Sequence, residues 1–156
     1  MSNAKDSDRY REIRNARAFH DYFIEEKYEA GIILTGTEVK SIRAGLAQIS
    51  DAFVRLDLDT PILYQAHIDE YAYGTCNNHN PNSPRKLLLH KREVRKIRQS
   101  IQSGGYTIVP LRMYFKGSLV KVEIAIARGK KLYDKREDMK KAISDRELSR
   151  VTARRR

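Results

Sequence analysis

The residues best equipped for bond-making chemistry are few: one cysteine, four histidines and scattered carboxylates. Cys76 and His79 stand in a C-x-x-H spacing that puts two soft donors on one short segment. Zinc takes four such donors in a structural site and three in a catalytic one. His67 and His90 fall in other segments and no second pair is spaced to complete the set, so neither a metal nor another cofactor is expected. His20 and Asp21 are adjacent, but side chains at i and i+1 diverge along a strand. There is no G-x-S-x-G turn, no Walker loop and no cysteine in a nucleophile-like setting beside a histidine. A protein that is not an enzyme is the expectation.

Charge gives the stronger signal. The 156-residue chain carries 31 Lys and Arg against 20 Asp and Glu, a net +11, and the excess is segregated. Residues 20–73 hold ten acids and four bases, whereas Arg85–Arg98 is +6 and Arg128–Arg156 is +7. Two basic blocks suit a polyanion, because each neutralised phosphate releases condensed counterions. A merely solubilising surface is the plainer alternative. Among the nine Tyr and four Phe, Phe53, Tyr64 and Phe115 suit core packing. Tyr22, Tyr133 and His20 lie beside basic or flexible segments and are better placed to stack on bases. No apolar run approaches a bilayer span and no signal-peptide pattern opens the chain, so a cytoplasmic protein without a membrane partner is expected. A single Cys76 fits a reducing compartment.

The elements that must position these groups read mainly as strands. Tyr22–Ile24 and Ala30–Thr35 are β-rich segments joined by a charged stretch. Thr35-Gly36-Thr37-Glu38 has the capping-box spacing, and Val39, Ile42 and Leu46 follow at helical intervals, with Gly45 at the stop. Ile49–Asp57 and Ile62–Ile68 read as a hairpin around Asp59-Thr60-Pro61, and the Asn- and Pro-rich stretch Gly74–Pro84 as a mobile loop. Val94, Ile97 and Ile101 give a second helix one apolar side, opposite Lys91, Arg92, Arg95, Lys96 and Arg98. After Gly104-Gly105, two strands, Tyr106–Phe115 and Leu119–Ala127, flank Lys116-Gly117-Ser118.

About six strands with short inserted helices favour a mainly β fold, a small closed antiparallel barrel of OB type, over a parallel sheet that would need a helix after nearly every strand. An SH3-like barrel shares this patterning. The expected organisation is a flexible N-terminal arm over 1–18, the barrel over 19–127 and a basic tail over 128–156. In the tail, Met139, Ile143, Leu148 and Val151 form no coherent stripe, so it should be unstructured when free, though its composition suits helix formation on a charged surface.

Six blocks, in order, carry a resemblance. They are Asn15-Ala16-Arg17-Ala18-Phe19-His20-Asp21-Tyr22-Phe23-Ile24, Tyr28-Glu29-Ala30-Gly31, Gly36-Thr37-Glu38-Val39-Lys40-Ser41 with Arg43-Ala44-Gly45, Ile49-Ser50-Asp51, Arg85-Lys86-Leu87-Leu88-Leu89, and Gly129-Lys130-Lys131-Leu132-Tyr133-Asp134-Lys135-Arg136. The chain thereby resembles the SmpB, or SsrA-binding protein, family. The resemblance implies an OB-type barrel that binds the tRNA-like domain of tmRNA and delivers it, alongside elongation factor Tu with alanyl-tmRNA, to stalled 70S ribosomes. It also implies a C-terminal tail that becomes helical in the empty mRNA channel, near the 16S rRNA decoding centre. The RNA-binding residues it implies are Asn15, Glu29, Leu88 and His90, with Arg85 and Lys86 beside them. Arg17, His20, Tyr22, Lys40, Arg43 and Lys91 complete the candidate set. Glu29 would accept from a base amino group or a 2′-hydroxyl. Where the family often has His, Tyr133 keeps a flat ring for stacking but cannot become cationic; Gly129, Lys130, Lys131, Asp134, Lys135 and Arg136 surround it. A general OB-type single-strand RNA binder and an RNA-modifying enzyme are the rival readings.

Overall fold

The computed structural model describes residues 10–74 and 78–154. In chain order the elements are β1 (Ile13–Arg14), α1 (Ala18–Asp21), β2 (Tyr22–Ile32), α2 (Gly36–Arg43), β3 (Ala47–Gln48), β4 (Phe53–Asp57), β5 (Thr60–Tyr64), β6 (His67–Ile68), β7 (Arg85–Leu88), α3 (Lys91–Gln102), β8 (Tyr106–Lys116), β9 (Leu119–Gly129) and α4 (Leu132–Arg154). Six strands run β8-β4-β5-β7-β2-β9, and β9 pairs back onto β8, so the sheet closes. Every pairing is antiparallel. Closure removes the open edges that a flat sheet would leave to other chains.

The alternation in β9 explains the inside of the barrel. Val120, Val122, Ile124 and Ile126 all point inward and are buried with Ala30, Leu63, Leu87, Ile108 and Met113. Ile42 of α2 and Ile97 of α3 join the same cluster, so each helix contributes its apolar side to that core. The other face of β9 also has a covered patch. Ala125 and Ala127 pack with Val109 and Leu111 beneath Ala18 of α1, and small side chains there let the short helix lie close.

Several expectations change on contact with the fold. The arm is not free along its length: Ile13 inserts into the core and β1 pairs with β8, so the chain is tied down from Tyr10 onward. The two early β-rich segments are one strand, with a register shift between Ile24 and Glu26 that absorbs the charged stretch. The β4–β5 turn is Leu58-Asp59, both in the left-handed region at φ 47° and 68°. Positive φ at both central residues matches the twist of the strands, and Pro61 lies inside β5 opposite Leu56. Thr35 is the N-cap of α2 but makes no capping hydrogen bond; Glu38 turns to Arg85 instead of reaching back. Within Gly74–Pro84, Asn78 bonds both backbone groups of Tyr71 and His79 is buried, so part of that segment is fixed. Thr75, Cys76 and Asn77 lie outside the described residues, and with them half of the C-x-x-H spacing.

The tail is a helix in the structure, where the apolar pattern alone led to unstructured chain. Leu132–Arg154 contains no Gly or Pro, and its helix formers prevail although no apolar stripe packs it down. It is held near its start: the Lys130 amide donates to Asp21 O at 2.8 Å, Lys130 Nζ donates to Phe19 O at 3.0 Å and pairs with Asp138, and Lys135 Nζ lies 3.2 Å from Asp21. No helix among the described residues is long and apolar enough to cross a membrane.

Candidate nucleic-acid interface

Strand alternation sorts the candidates before any RNA is considered. In β7, Arg85 and Leu87 point inward while Lys86 and Leu88 point outward. Arg85 is only 3% exposed. Its Nε donates to Glu38 at 2.9 Å, Nη1 to the carbonyls of Ala66 and Ser83, and Nη2 to those of Asn80 and Pro81. The guanidinium carries five N–H donors and all five are used, so Arg85 is not a phosphate contact. It is the post around which residues 80–83 wrap.

Asn15 is the second candidate that the fold claims for itself. Its backbone N–H donates to Leu111 O, its Nδ2 donates to Pro110 O at 2.8 Å, and its Oδ1 accepts from the Arg17 amide. Pro110 and Leu111 sit at the register shift in β8, where the ladder leaves carbonyls without strand partners. Asn15 satisfies them and is buried. It fixes the arm and is not offered to a ligand.

Glu29 and Leu88 lie on the same outer wall of the barrel, and Lys86 shares that wall two residues before Leu88, bonded through its carbonyl to the Ile33 amide. Leu88 faces Gly31 across β7–β2, Gly31 faces Lys121 across β2–β9, and Lys121 faces Tyr114 across β9–β8. A Cβ on Gly31 would stand 3.3 Å from Leu88 Cβ, so the glycine lets Leu88 lie against β2. Leu88 is nonetheless 59% exposed, large and apolar, on an open face. Glu29, two residues before Gly31, accepts from the Tyr114 hydroxyl and, at 3.1 Å, from Lys116 Nζ. These hydrogen bonds, Tyr114 first, hold its carboxyl below the usual range. Burial and the same bond push the Tyr114 phenol up. The result is an ionised acceptor with lone pairs to spare beside Lys116, Lys121 and an exposed apolar side chain. Arg112 is close by in sequence but neutralised by Glu12 and Glu123 at 2.7 and 2.9 Å.

Tyr114, Lys116 and Lys121 were missed as site residues. The signal was available: they are outward positions of β8 and β9, out of phase with Met113, Phe115, Val120 and Val122. What could not be read was that β2 and β9 would be neighbours and bring Glu29 to them.

The remaining candidates lie elsewhere. His90 is the N-cap of α3 without a side-chain cap, and Lys91 opens that helix; both are exposed. Lys40 lies over the Tyr71 ring at 5.2 Å, and Arg43 over Tyr10 and Phe115 at 5.7 and 5.9 Å, on α2. Arg17 pairs with Asp51 at 3.0 Å, both exposed. Tyr22 packs against the small cluster under α1. His20 and Asp21 lie on α1 and not on a strand, so their side chains do not diverge as expected: they bond at 2.8 Å, the leading cause of that carboxyl's lowered pKa, with Lys135 a further one. Gly129 ends β9 opposite Tyr22, so Lys130 and Lys135 start the tail against α1, Asp134 is half-buried, and Lys131 and Arg136 face solvent. Tyr133 is 70% exposed, and its hydrogen bond to Glu137 raises the phenol pKa.

His79 of the C-x-x-H spacing and His67 are engaged in structural bonds. His79 donates from Nε2 to Ile68 O at 2.9 Å and meets Thr37 Oγ1 at 2.9 Å. His67 bonds Asn82 and Asp69, which raise its pKa in that order. Among the described residues no three His, Cys, Asp or Glu side chains gather as a metal site.

Comparison with known proteins places the whole arrangement in one family. The model of the family described as SmpB protein matches residues 12–154. The SsrA-binding protein of Pelobacter propionicus is 56% identical over 137 residues, covering 88% of this chain and 90% of that protein. That of Geotalea uraniireducens is 54% identical, covering 86% of this chain and 89% of that protein. A chain of the solved structure described as "tmRNA-SmpB: a journey to the center of the bacterial ribosome" superposes with a TM-score of 0.66 at 46% identity, covering 85% of this chain and 94% of that one. With a family match running from the start of the pinned arm to the end of the tail helix, and relatives more than half identical over most of their length, this chain belongs to the SmpB family.

Proposed function

We propose that this protein binds tmRNA, the SsrA RNA, through its tRNA-like domain and serves trans-translation on stalled ribosomes, so that the nascent peptide is tagged and the ribosome released. The observation that carries the reading is the outer row of Leu88, Gly31 and Lys121, with Glu29 held beside it by Tyr114, on the barrel of a SmpB-family chain. An ionised carboxylate takes a base amino group or a 2′-hydroxyl, Lys121 and Lys86 take phosphates, and Leu88 packs on an unstacked base. Lys86 borders this row on β7 and His90 and Lys91 follow it.

The protein's part is binding and positioning, in the cytoplasm; the chemistry belongs to the ribosome and to alanyl-tmRNA, with elongation factor Tu alongside. The barrel stands in place of an anticodon stem. The tail from Lys130 enters the empty mRNA channel as a helix, where Tyr133 stacks on a base of the 16S rRNA decoding centre and Lys131, Lys135 and Arg136 meet its phosphates. The test is the RNA that co-purifies with the protein from cells. One dominant species with a tRNA-like end supports the reading. A mixed population, with no preference for tmRNA over an unstructured RNA of equal length, would favour the general single-strand binder instead.

A further inference from the structure

The bases of α3 divide into two sets that composition cannot tell apart. Lys91, Arg95 and Arg98, at i, i+4 and i+7, form one stripe and line one wall of a groove. The tip of the β4–β5 hairpin, Leu58 to Pro61, forms the other wall, and Leu87, Leu88 and Leu89 lie between. Arg92 and Lys96 are equally exposed but line neither stretch of this groove. Arg98 crosses it to pair with Asp59, the only acid among the described residues lining either stretch, and the groove continues beyond that bridge past Arg55 to Gln102 and Tyr106.

Two features point to the occupant. Lys91 and Arg95 have no acidic partner among the described residues, and side chains four apart on a helix are neighbours, so they present two adjacent free cations. Asp59 is already neutralised, leaving the groove positive. The apolar side chains are also unusually open: Leu58 at the hairpin tip is fully exposed and Leu88 more than half so. Leu88 belongs both to this groove and to the outer row with Gly31 and Lys121, so the two surfaces are continuous.

We propose that the groove between α3 and the β4–β5 hairpin is a second tmRNA subsite, taking the strand that leaves the outer row. Lys91 and Arg95 neutralise successive phosphates of that strand, and Leu58 and Leu88 pack on its sugar and base faces. The inference rests on the tmRNA reading and extends it to Arg95 and Leu58.

The experiment compares two double variants of the full-length protein, Lys91→Ala with Arg95→Ala and Arg92→Ala with Lys96→Ala. Each removes two charges from the same exposed helix, and thermal unfolding checks that both remain folded. Affinity for isolated full-length tmRNA is measured across a salt series. The groove pair should lower the salt slope by about 1 to 2, at ~0.7 to 0.9 per phosphate, and the other pair by less than half as much. Equal effects from the two pairs, or none from the groove pair, would overturn the proposal. So would a groove pair that binds tmRNA as the wild type does but loses binding to vacant ribosomes, since the occupant would then be ribosomal RNA. A wild-type protein with no preference for tmRNA over a length-matched RNA would fail earlier, and would sink the function itself.

Discussion

Replacing Arg85 with Ala separates a structural basic residue from an RNA-binding one. The side chain is buried, pairs with Glu38 at 2.9 Å and holds four carbonyls from residues 66, 80, 81 and 83. Removing it leaves the Glu38 carboxylate charged in a site where both partners' side chains are at most 6% exposed. Breaking one side of such a pair costs about 3–5 kcal/mol. At roughly 2–4 °C of melting temperature per kcal/mol for a domain of this size, the fall should be on the order of 6–20 °C. Thermal unfolding followed by far-ultraviolet circular dichroism reads it. Replacing both partners with apolar residues, Glu38→Leu with Arg85→Met, should recover part of the loss, because the stranded charge is gone. Lys86→Ala, one residue away on the outward face, should leave the melting temperature within about 2 °C. An Arg85→Ala protein that melts with the wild type but binds tmRNA with a shallower salt slope would refute the argument and return Arg85 to the RNA surface.

Lys86→Ala and Lys121→Ala should each reduce the salt slope of tmRNA binding by ~0.7 to 0.9 if each meets one phosphate, and a full set of unchanged slopes would remove them from the interface. Glu29→Ala should weaken tmRNA binding with little change in thermal stability; matched losses of both would make the residue structural. The Glu29 carboxyl, lowered first by Tyr114 and then by Lys116, should titrate below the ordinary glutamate value of about 4.3 in a carbon-detected NMR titration, and Tyr114→Phe should move it back up. The sign follows: the stabilisation from this contact is complete above the ordinary value and fades as pH falls through the lowered one. Truncation after Gly129 should leave a folded barrel that binds isolated tmRNA but no longer supports tagging on stalled ribosomes. In the full chain, Tyr133→Phe should keep more rescue activity than Tyr133→Ala, since stacking is worth about 1–3 kcal/mol per base; equal activities would discount the ring.

Much of this molecule is legible in one dimension. The inward alternation of Val120, Val122, Ile124 and Ile126, the helical spacing of Val94 and Ile97, and the N-cap at Thr35 follow from local periodicity and backbone preference, which need no partner to be read. The ordered blocks around Glu29, Leu88 and Gly129 carried the family in the same way. Tertiary structure decided which polar side chains were free to act. Arg85 and Lys86 are neighbours of like charge, and only the closed barrel, which brings Glu38 from 47 residues away and folds residues 80–83 around the guanidinium, consumes one and exposes the other. Asn15 became a clasp because a register shift in β8, about a hundred residues later, left carbonyls that its amide could satisfy. Glu29 gained Tyr114 and Lys116 only when β9 paired with both β2 and β8. Periodicity says which side of an element a residue takes; hydrogen-bond saturation, which needs partners distant in sequence, decides whether that side chain has anything left to offer a ligand.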